Sequence, residues 1–255
     1  MFQPPAVDWD LTVHLINATV QIDQSRGDGT RTVGTGFLVQ APRPDGTPRV
    51  VLVTAAHVLE RMEGPELRVG WRFADADGGW RFGPTPTPLR EDTIPLWTRH
   101  PERDVAVLEV TAPPEFARAA LPLAWLADEE TFARYGVGPG DETVALGFPR
   151  GLSANRAGFP ILRSGRIASY PLWPVDAFPT FLIDFVVFPG NSGGPVFMPQ
   201  DPSQPDRPFV AGVITQQVEL NSERLGIGVV THAVYVRETI ALMDQAAVLA
   251  PTGGP

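Results

Sequence analysis

The chain has 255 residues, 43% of them apolar, enough for one or two domains with substantial cores. Its formal charge of −9, spread without long acidic blocks, argues against nucleic acid as the main partner, because phosphate binding needs concentrated positive charge. No cysteine is present, so the fold cannot depend on disulfides, and a reducing compartment is permitted.

In chain order, the first ten residues lack the basic start and apolar core of a signal peptide, and no apolar run approaches the ~18 residues that span a membrane. The expectation is a cytoplasmic protein with no membrane partner. Residues 11–22 alternate loosely, and Gly27-Asp28-Gly29 marks a turn. Strands are predicted at 34–39 and at 50–53, the second leading into His57, with one helical turn over 57–62. Further strands follow at 66–73, 80–82 and 105–110, while the alternating prolines of 84–88 restrict that stretch to loop or sheet edge.

Residues 111–121 read as a crossover, and 128–135 as a short helix capped by Asp128 with acids in its first turn. Strands are then predicted at 143–146, 161–170, 180–188, 195–198, 209–215 and 226–230. Only 234–249 shows extended helical spacing, and it is expected to pack on the second half, before a frayed tail at 251–255. The 28 prolines and 25 glycines, scattered without a period, fit many short elements joined by turns. The fold class read from this is all-β: two six-stranded antiparallel barrels, whose closure avoids exposed edges, with a C-terminal helix.

Chemistry concentrates in Phe188-Pro189-Gly190-Asn191-Ser192-Gly193-Gly194-Pro195. A serine is a poor nucleophile unless its hydroxyl is exposed on a sharp turn, with donors nearby for the charge that develops. The glycines and prolines supply such a turn between two apolar runs, although the same residues also make ordinary hairpin chemistry. A candidate base stands at the end of Val53-Thr54-Ala55-Ala56-His57, and a candidate acid at the mouth of Asp104-Val105-Ala106-Val107-Leu108. His14 and His100 have no motif around them and read as surface or strand histidines.

These three motifs, in the order His, Asp, Ser, resemble the trypsin/chymotrypsin superfamily of serine peptidases. Val144-Ala145-Leu146-Gly147-Phe148-Pro149-Arg150-Gly151, Ser164-Gly165-Arg166-Ile167, and Asp184 eight positions before Ser192 are similar to the bacterial HtrA-like branch. The resemblance spans roughly residues 34–230. No PDZ-sized region follows the catalytic half, which departs from HtrA-type proteases. All twenty basic residues are arginine, which fits a GC-rich bacterial genome.

The resemblance implies a first barrel over 1–112 carrying His57 and Asp104, a second over 113–235 carrying Ser192, and a C-terminal helix and tail over 236–255. It implies a serine endopeptidase in which Ser192 attacks the peptide carbonyl, His57 moves the proton and Asp104 orients His57, with no metal or cofactor. The oxyanion hole falls to the backbone N–H groups of Gly190 and Ser192. Val186 falls at the base of the specificity pocket, where cleavage after Arg or Lys would call for a carboxylate. Thr215, Gln216 and Gln217 match the strand that pairs with substrate main chain, and Gly226 and Gly228 stand near the far wall. Small or aliphatic apolar residues are therefore the expected cleavage sites in a protein or peptide substrate.

Asn191 replaces the aspartate that pairs with a new N-terminus in many secreted members, so no zymogen cleavage is expected: the cleft is formed directly or gated by a regulatory protein partner. Residues 190–194 also satisfy the nucleophile-elbow pattern of α/β-hydrolases, with Asp206 and His232 in that fold's chain order. Pro195, Pro199 and Pro202 leave no room for the helix this would need. A trypsin-like fold serving as a regulated or silent peptide-binding module is the second reading.

Overall fold

A computed structural model describes residues 10–199 and 209–249. The expected tail and Asp206 lie outside them. The first half runs α1 (Asp10–Ala18), β1 (Thr19–Ser25), β2 (Arg31–Gln40), β3 (Val50–Thr54), α2 (Ala56–Glu60), β4 (Glu66–Ala74), β5 (Trp80–Pro88), a ribbon of β6 (Arg90–Glu91) and β7 (Ile94–Pro95), β8 (Trp97–Arg99) and β9 (Ala106–Val110). A connection of α3 (Pro114–Ala119), β10 (Leu121–Pro122) and α4 (Glu129–Arg134) follows. The second half holds β11 (Glu142–Gly147), β12 (Ile161–Arg166), β13 (Thr180–Asp184), β14 (Pro195–Phe197), β15 (Val210–Leu220), β16 (Glu223–His232) and α5 (Val234–Leu249).

The second sheet has the expected six strands, in the order β12-β11-β14-β15-β16-β13, and Ile167 bridges Ile183 to bring its two ends together. The first sheet departs from six. It has eight strands, ordered β5-β4-β1-β2-β3-β9-β8 with β10 paired to β2. The two extra strands are the short β8 and β10. The strand expected at 80–82 continues as β5 through the prolines, which hold the edge: Pro84, Pro86 and Pro88 stand opposite Gly70, Arg68 and Glu66. Prolines at alternate positions remove the N–H groups of one side of a strand, which suits an edge that must not recruit another chain.

Residues 11–22 are not one alternating run. Leu11, Leu15 and Ala18 lie buried on one helical face, and Val20 and Ile22 on one strand face, so two periods meet at residue 18. The predicted strands at 161–170 and 180–188 end early, at Arg166 and Asp184. Beyond them Phe185 and Val187 are buried without strand pairing, so their apolarity reports burial rather than a ladder. Conversely, β15 and β16 run well past their predicted ends, into a hairpin closed by Asn221 and Ser222, both at positive φ. Its polar, exposed residues carry no alternation to read, and the turn sets the pairing. The helix capped by Asp128 forms as expected, with a reciprocal Asp128–Thr131 capping box.

Strands β2, β3 and β9 explain why so much of the first half reads as continuous apolar sequence. Leu38, Leu52 and Leu108 face the core of the first sheet with Trp71 and Leu67. Phe37, Val51, Val53 and Val107 face the other way, into a cluster that includes Val144, Leu146, Phe197 and Val213 of the second half. Both faces are buried. The helix α5 joins this shared cluster through Val236 and Ile240 and packs on β8 and β9 as well as β16. Arg49 pairs with Asp244 at 2.6 Å from the first half. The helix packs on the second half as expected and on the first half as well, so it straps the two halves together.

His232 ends β16 at 2% exposure, its ring 5.0 Å from those of both Phe132 and Phe181. Burial lowers its pKa to about 4, against opposing hydrogen bonds with the backbone at Leu172 and Phe178. The unfolded chain therefore binds a proton that the folded chain refuses between the ordinary histidine value and about pH 4. Stability should fall by at most about 3 kcal/mol as pH drops through that window, and His232→Phe should flatten this part of the slope in urea melts at stepped pH.

Candidate active site

His57 is the second residue of α2, which starts where β3 ends, so the strand delivers the imidazole to the rim between the halves. Asp104 lies two residues before β9, a neighbour of β3 in the same sheet, with buried Val105 between. Its carboxylate is clamped twice. The His57 backbone N–H donates to Oδ1 at 2.9 Å, and His57 Nδ1 lies 2.6 Å from Oδ2. Burial alone would raise the Asp104 pKa. The hydrogen bond and charge of the His57 ring, with the backbone N–H groups of His57 and Ala56, outweigh it and hold the carboxyl below the ordinary range. An ionised Asp104 in this contact fixes the Nδ1–H tautomer and leaves Nε2 as the free base.

Ser192 arrives from the other half on a loop moulded against β2. Its carbonyl accepts the Thr35 N–H at 2.9 Å, and the neighbouring Gly193, at φ +90°, donates to Ile214 O at 2.7 Å. A Cβ on Gly193 would stand 2.0 Å from Thr35 O and 2.1 Å from Thr54 Oγ1, so only glycine fits where the halves touch. Ser192, His57 and Asp104 line one open cleft of about 750 Å³. The Ser192 hydroxyl is hydrogen-bonded to Thr215 O at 3.4 Å.

The Pro189–Gly190 peptide is trans, so its C=O and N–H point in opposite directions. Pro189 O accepts the Arg150 N–H at 2.6 Å, which turns the Gly190 N–H the other way. Among the described residues neither the Gly190 nor the Ser192 N–H has a protein acceptor. Two such donors beside a serine hydroxyl can stabilise a developing oxyanion. Supporting residues that sequence reasoning missed hold them. The Thr35 hydroxyl donates to Gly190 O at 2.6 Å and accepts the Phe148 N–H at 3.1 Å. Arg150 sits at φ +52°, and Gln21, from β1, donates to the carbonyl of the next residue, Gly151, at 3.0 Å. No local motif marks these residues, because their partners lie 113 to 155 positions away for Thr35 and 130 for Gln21.

Of the residues expected to bind substrate, Thr215, Gln216 and Gln217 line the cleft, with Val187, Phe188 and Pro189. Val186 and Gly228 do not line it. Val187 takes the wall instead, 2.6 Å from where a Gly228 side chain would begin, and half-buried Val186 lies beside Gly226. The Gln217 amide is bonded to Glu219. Phe188 carries the guanidinium groups of Arg150 and Arg224 at 5.6 and 5.7 Å from its ring. Asn191 is 2% exposed, and its Oδ1 is buried without a hydrogen-bond partner. His232 lies in the second-half core, away from Ser192, and the short strand β14 rather than a helix follows the serine loop. That removes the α/β-hydrolase alternative.

Paired sheets with a Ser, His and Asp lining the cleft between them define the class of trypsin-like serine hydrolases. The family profile of the trypsin-like peptidase domain matches residues 34–201, and the chain belongs to that family. No curated protein matches it. Among solved structures it is similar to the HtrA-type protease AlgW, solved with a tripeptide, at 17% identity and TM-score 0.58, covering 92% of this chain and 64% of that one. The Rv3671c protease from M. tuberculosis, in its active form, is similar at 21% identity and TM-score 0.56, over 94% of this chain and 86% of the other. The protease Anisep from Arthrobacter nicotinovorans has 15% identity and TM-score 0.53, over 90% and 96%. The chain thus spans just under two thirds of AlgW. No described helix is long and apolar enough to cross a membrane.

In Gly190→Ala the new Cβ would lie 2.3 Å from Phe148 O, at a φ of +96°. The peptide must then move, and labelling of Ser192 by a fluorophosphonate should slow by about 10²–10³, the usual cost of one lost oxyanion donor. A second-order labelling rate measures this.

Proposed function

We propose that the chain is a serine endopeptidase that hydrolyses peptide bonds through an acyl-enzyme on Ser192. His57 takes the serine proton and returns it to the leaving amine, and Asp104 holds the imidazole in its tautomer and stabilises its charged form. The Gly190 and Ser192 amides bind the oxyanion. The observation that carries this reading is the double clamp of Asp104 on His57, facing the same cleft as Ser192. The division into a barrel over 1–112, a second over 113–235 and a helical strap from 236 belongs to the same proposal. The scheme uses no metal or cofactor.

Substrate main chain pairs along 215–217, in the manner of an added strand. Val187 against Gly228 makes the pocket shallow and apolar, which supports cleavage after small or aliphatic residues. Asn191 is neutral and cannot pair with a freed amine, so activity needs no N-terminal cleavage. We place its work in the cytoplasm, a compartment that a fold without disulfides permits. One observation favours the second reading, a peptide-binding module held silent until a partner acts: the Ser192 hydroxyl is bonded to Thr215 O.

Fluorophosphonate labelling of the wild type, Ser192→Ala and His57→Ala separates the two. Labelling lost in both variants is the expected result, and absence of labelling in the wild type would favour the binding module. A peptide-library scan should return Val, Ala or Leu before the cut, and mainly Arg or Lys would overturn the specificity. Nicking the N-terminus should leave the rate unchanged.

A further inference from the structure

His100 is neither at the surface nor in a strand: it is 6% exposed, in the turn between β8 and β9, and it does not line the cleft. Both ring nitrogens are engaged. Nε2 lies 3.0 Å from Glu238 Oε2 on α5, and Nδ1 lies 3.2 and 3.1 Å from the backbone N atoms of Glu102 and Arg103. A carboxylate accepts and a backbone N–H donates, so the partners on the two sides together dictate the neutral Nε2–H tautomer.

The two amides held by Nδ1 belong to the residues immediately before Asp104. The turn is closed behind them: the His100 N–H donates to Val105 O at 2.9 Å, and the Val105 N–H to Arg103 O at 2.9 Å. A ring thus fills the turn that presents the Asp104 carboxylate to His57. The helix α5 supplies both the carboxylate that orients this ring and the aromatic wall beside it. The Tyr235 ring meets His100 edge-on at 5.3 Å and carries the Arg103 guanidinium at 5.1 Å.

We propose that His100, oriented by Glu238, is a positioning residue for Asp104, which makes the C-terminal helix part of the apparatus that sets the geometry of the triad. The proposal rests on the reading of Ser192, His57 and Asp104 as a peptidase triad. Without the Nδ1 acceptor the turn loses the bonds that fix where Asp104 begins. A displacement of about 1 Å at such a site costs on the order of 10²-fold in rate. Glu102 and Arg103 line the rim of the cleft, but the stretch 215–217 proposed to pair with substrate lies on its other side and is untouched, so the loss falls mainly on kcat.

The test compares His100→Ala, His100→Asn and Glu238→Ala in the full chain, reading kcat and KM on a peptide substrate and the far-downfield proton resonance of His57 Nδ1. His100→Ala should lower kcat by about 10- to 100-fold with KM within about twofold, and shift the resonance. Asn Oδ1 can stand where Nδ1 accepts, so His100→Asn should restore kcat to within about threefold of wild type. Unchanged kcat in a folded His100→Ala, or failure of the Asn variant to rescue, overturns the proposal. Should His100→Ala not fold, Glu238→Ala decides, since its side chain is half exposed: a lowered kcat and a shifted resonance support the proposal, and wild-type values overturn it. If the wild type is not labelled by a fluorophosphonate, the peptidase reading fails by itself. The resonance in the variants then decides whether His100 positions Asp104.

Discussion

The structure depends on one close approach. The serine loop lies directly against β2, the Ser192 carbonyl bonded to the Thr35 N–H at 2.9 Å and Gly193 seated where any Cβ would strike Thr35 O. That seam sets Ser192 of the second half against the strands that carry His57 in the first. Backbone contact of this kind tolerates no slack, because a hydrogen bond across it fixes distance and direction together. The apolar cluster shared by Phe37, Val53, Leu146 and Val213 presses the halves together behind it.

Thr35 shows how closely the seam and the chemistry are joined. Its N–H holds the Ser192 carbonyl, its hydroxyl holds the Gly190 carbonyl and receives the Phe148 N–H, and its own carbonyl accepts the Thr54 hydroxyl at 2.7 Å. One buried residue thereby ties the serine loop to the strand that leads to His57 and to the loop that orients the Pro189–Gly190 peptide. The N–H groups proposed to bind the oxyanion are held before any substrate arrives, the condition under which such dipoles are most effective. The hydroxyl of Ser192, by contrast, is bonded to Thr215 O, and in the proposed reaction it must exchange that partner for His57.

The acidic side of the site is supported from farther away. Donors from His57 and Ala56 outweigh burial and hold the Asp104 carboxyl below its ordinary pKa, and the turn that carries it is filled by His100 and backed by α5. The same helix reaches Arg49 beside β3. Its hydrophobic face and its polar contacts serve the interface between the halves more than either half alone. Buried groups elsewhere are structural: Arg72 spends its guanidinium on the carbonyls of Ile16, Asn17, Thr19 and Gly158, and burial lowers its pKa to about 10. It thereby anchors α1 and the far end of the loop that carries Arg150.

What the sequence by itself determined was whatever local chemistry dictates: the all-β class, the capped helix after Asp128, the C-terminal helix, and the motifs around His57, Asp104 and Ser192. Each of these is written in neighbouring residues, as a period, a cap or a glycine turn. Tertiary structure alone decided the eight-strand first sheet, the reach of the β15–β16 hairpin, the α5 strap, Val187 rather than Val186 at the cleft wall, and the supporting roles of Thr35, Gln21, Arg150 and His100. These depend on contacts between residues far apart in the chain, whose side chains look ordinary until folding removes water from them and leaves each donor a single acceptor to find.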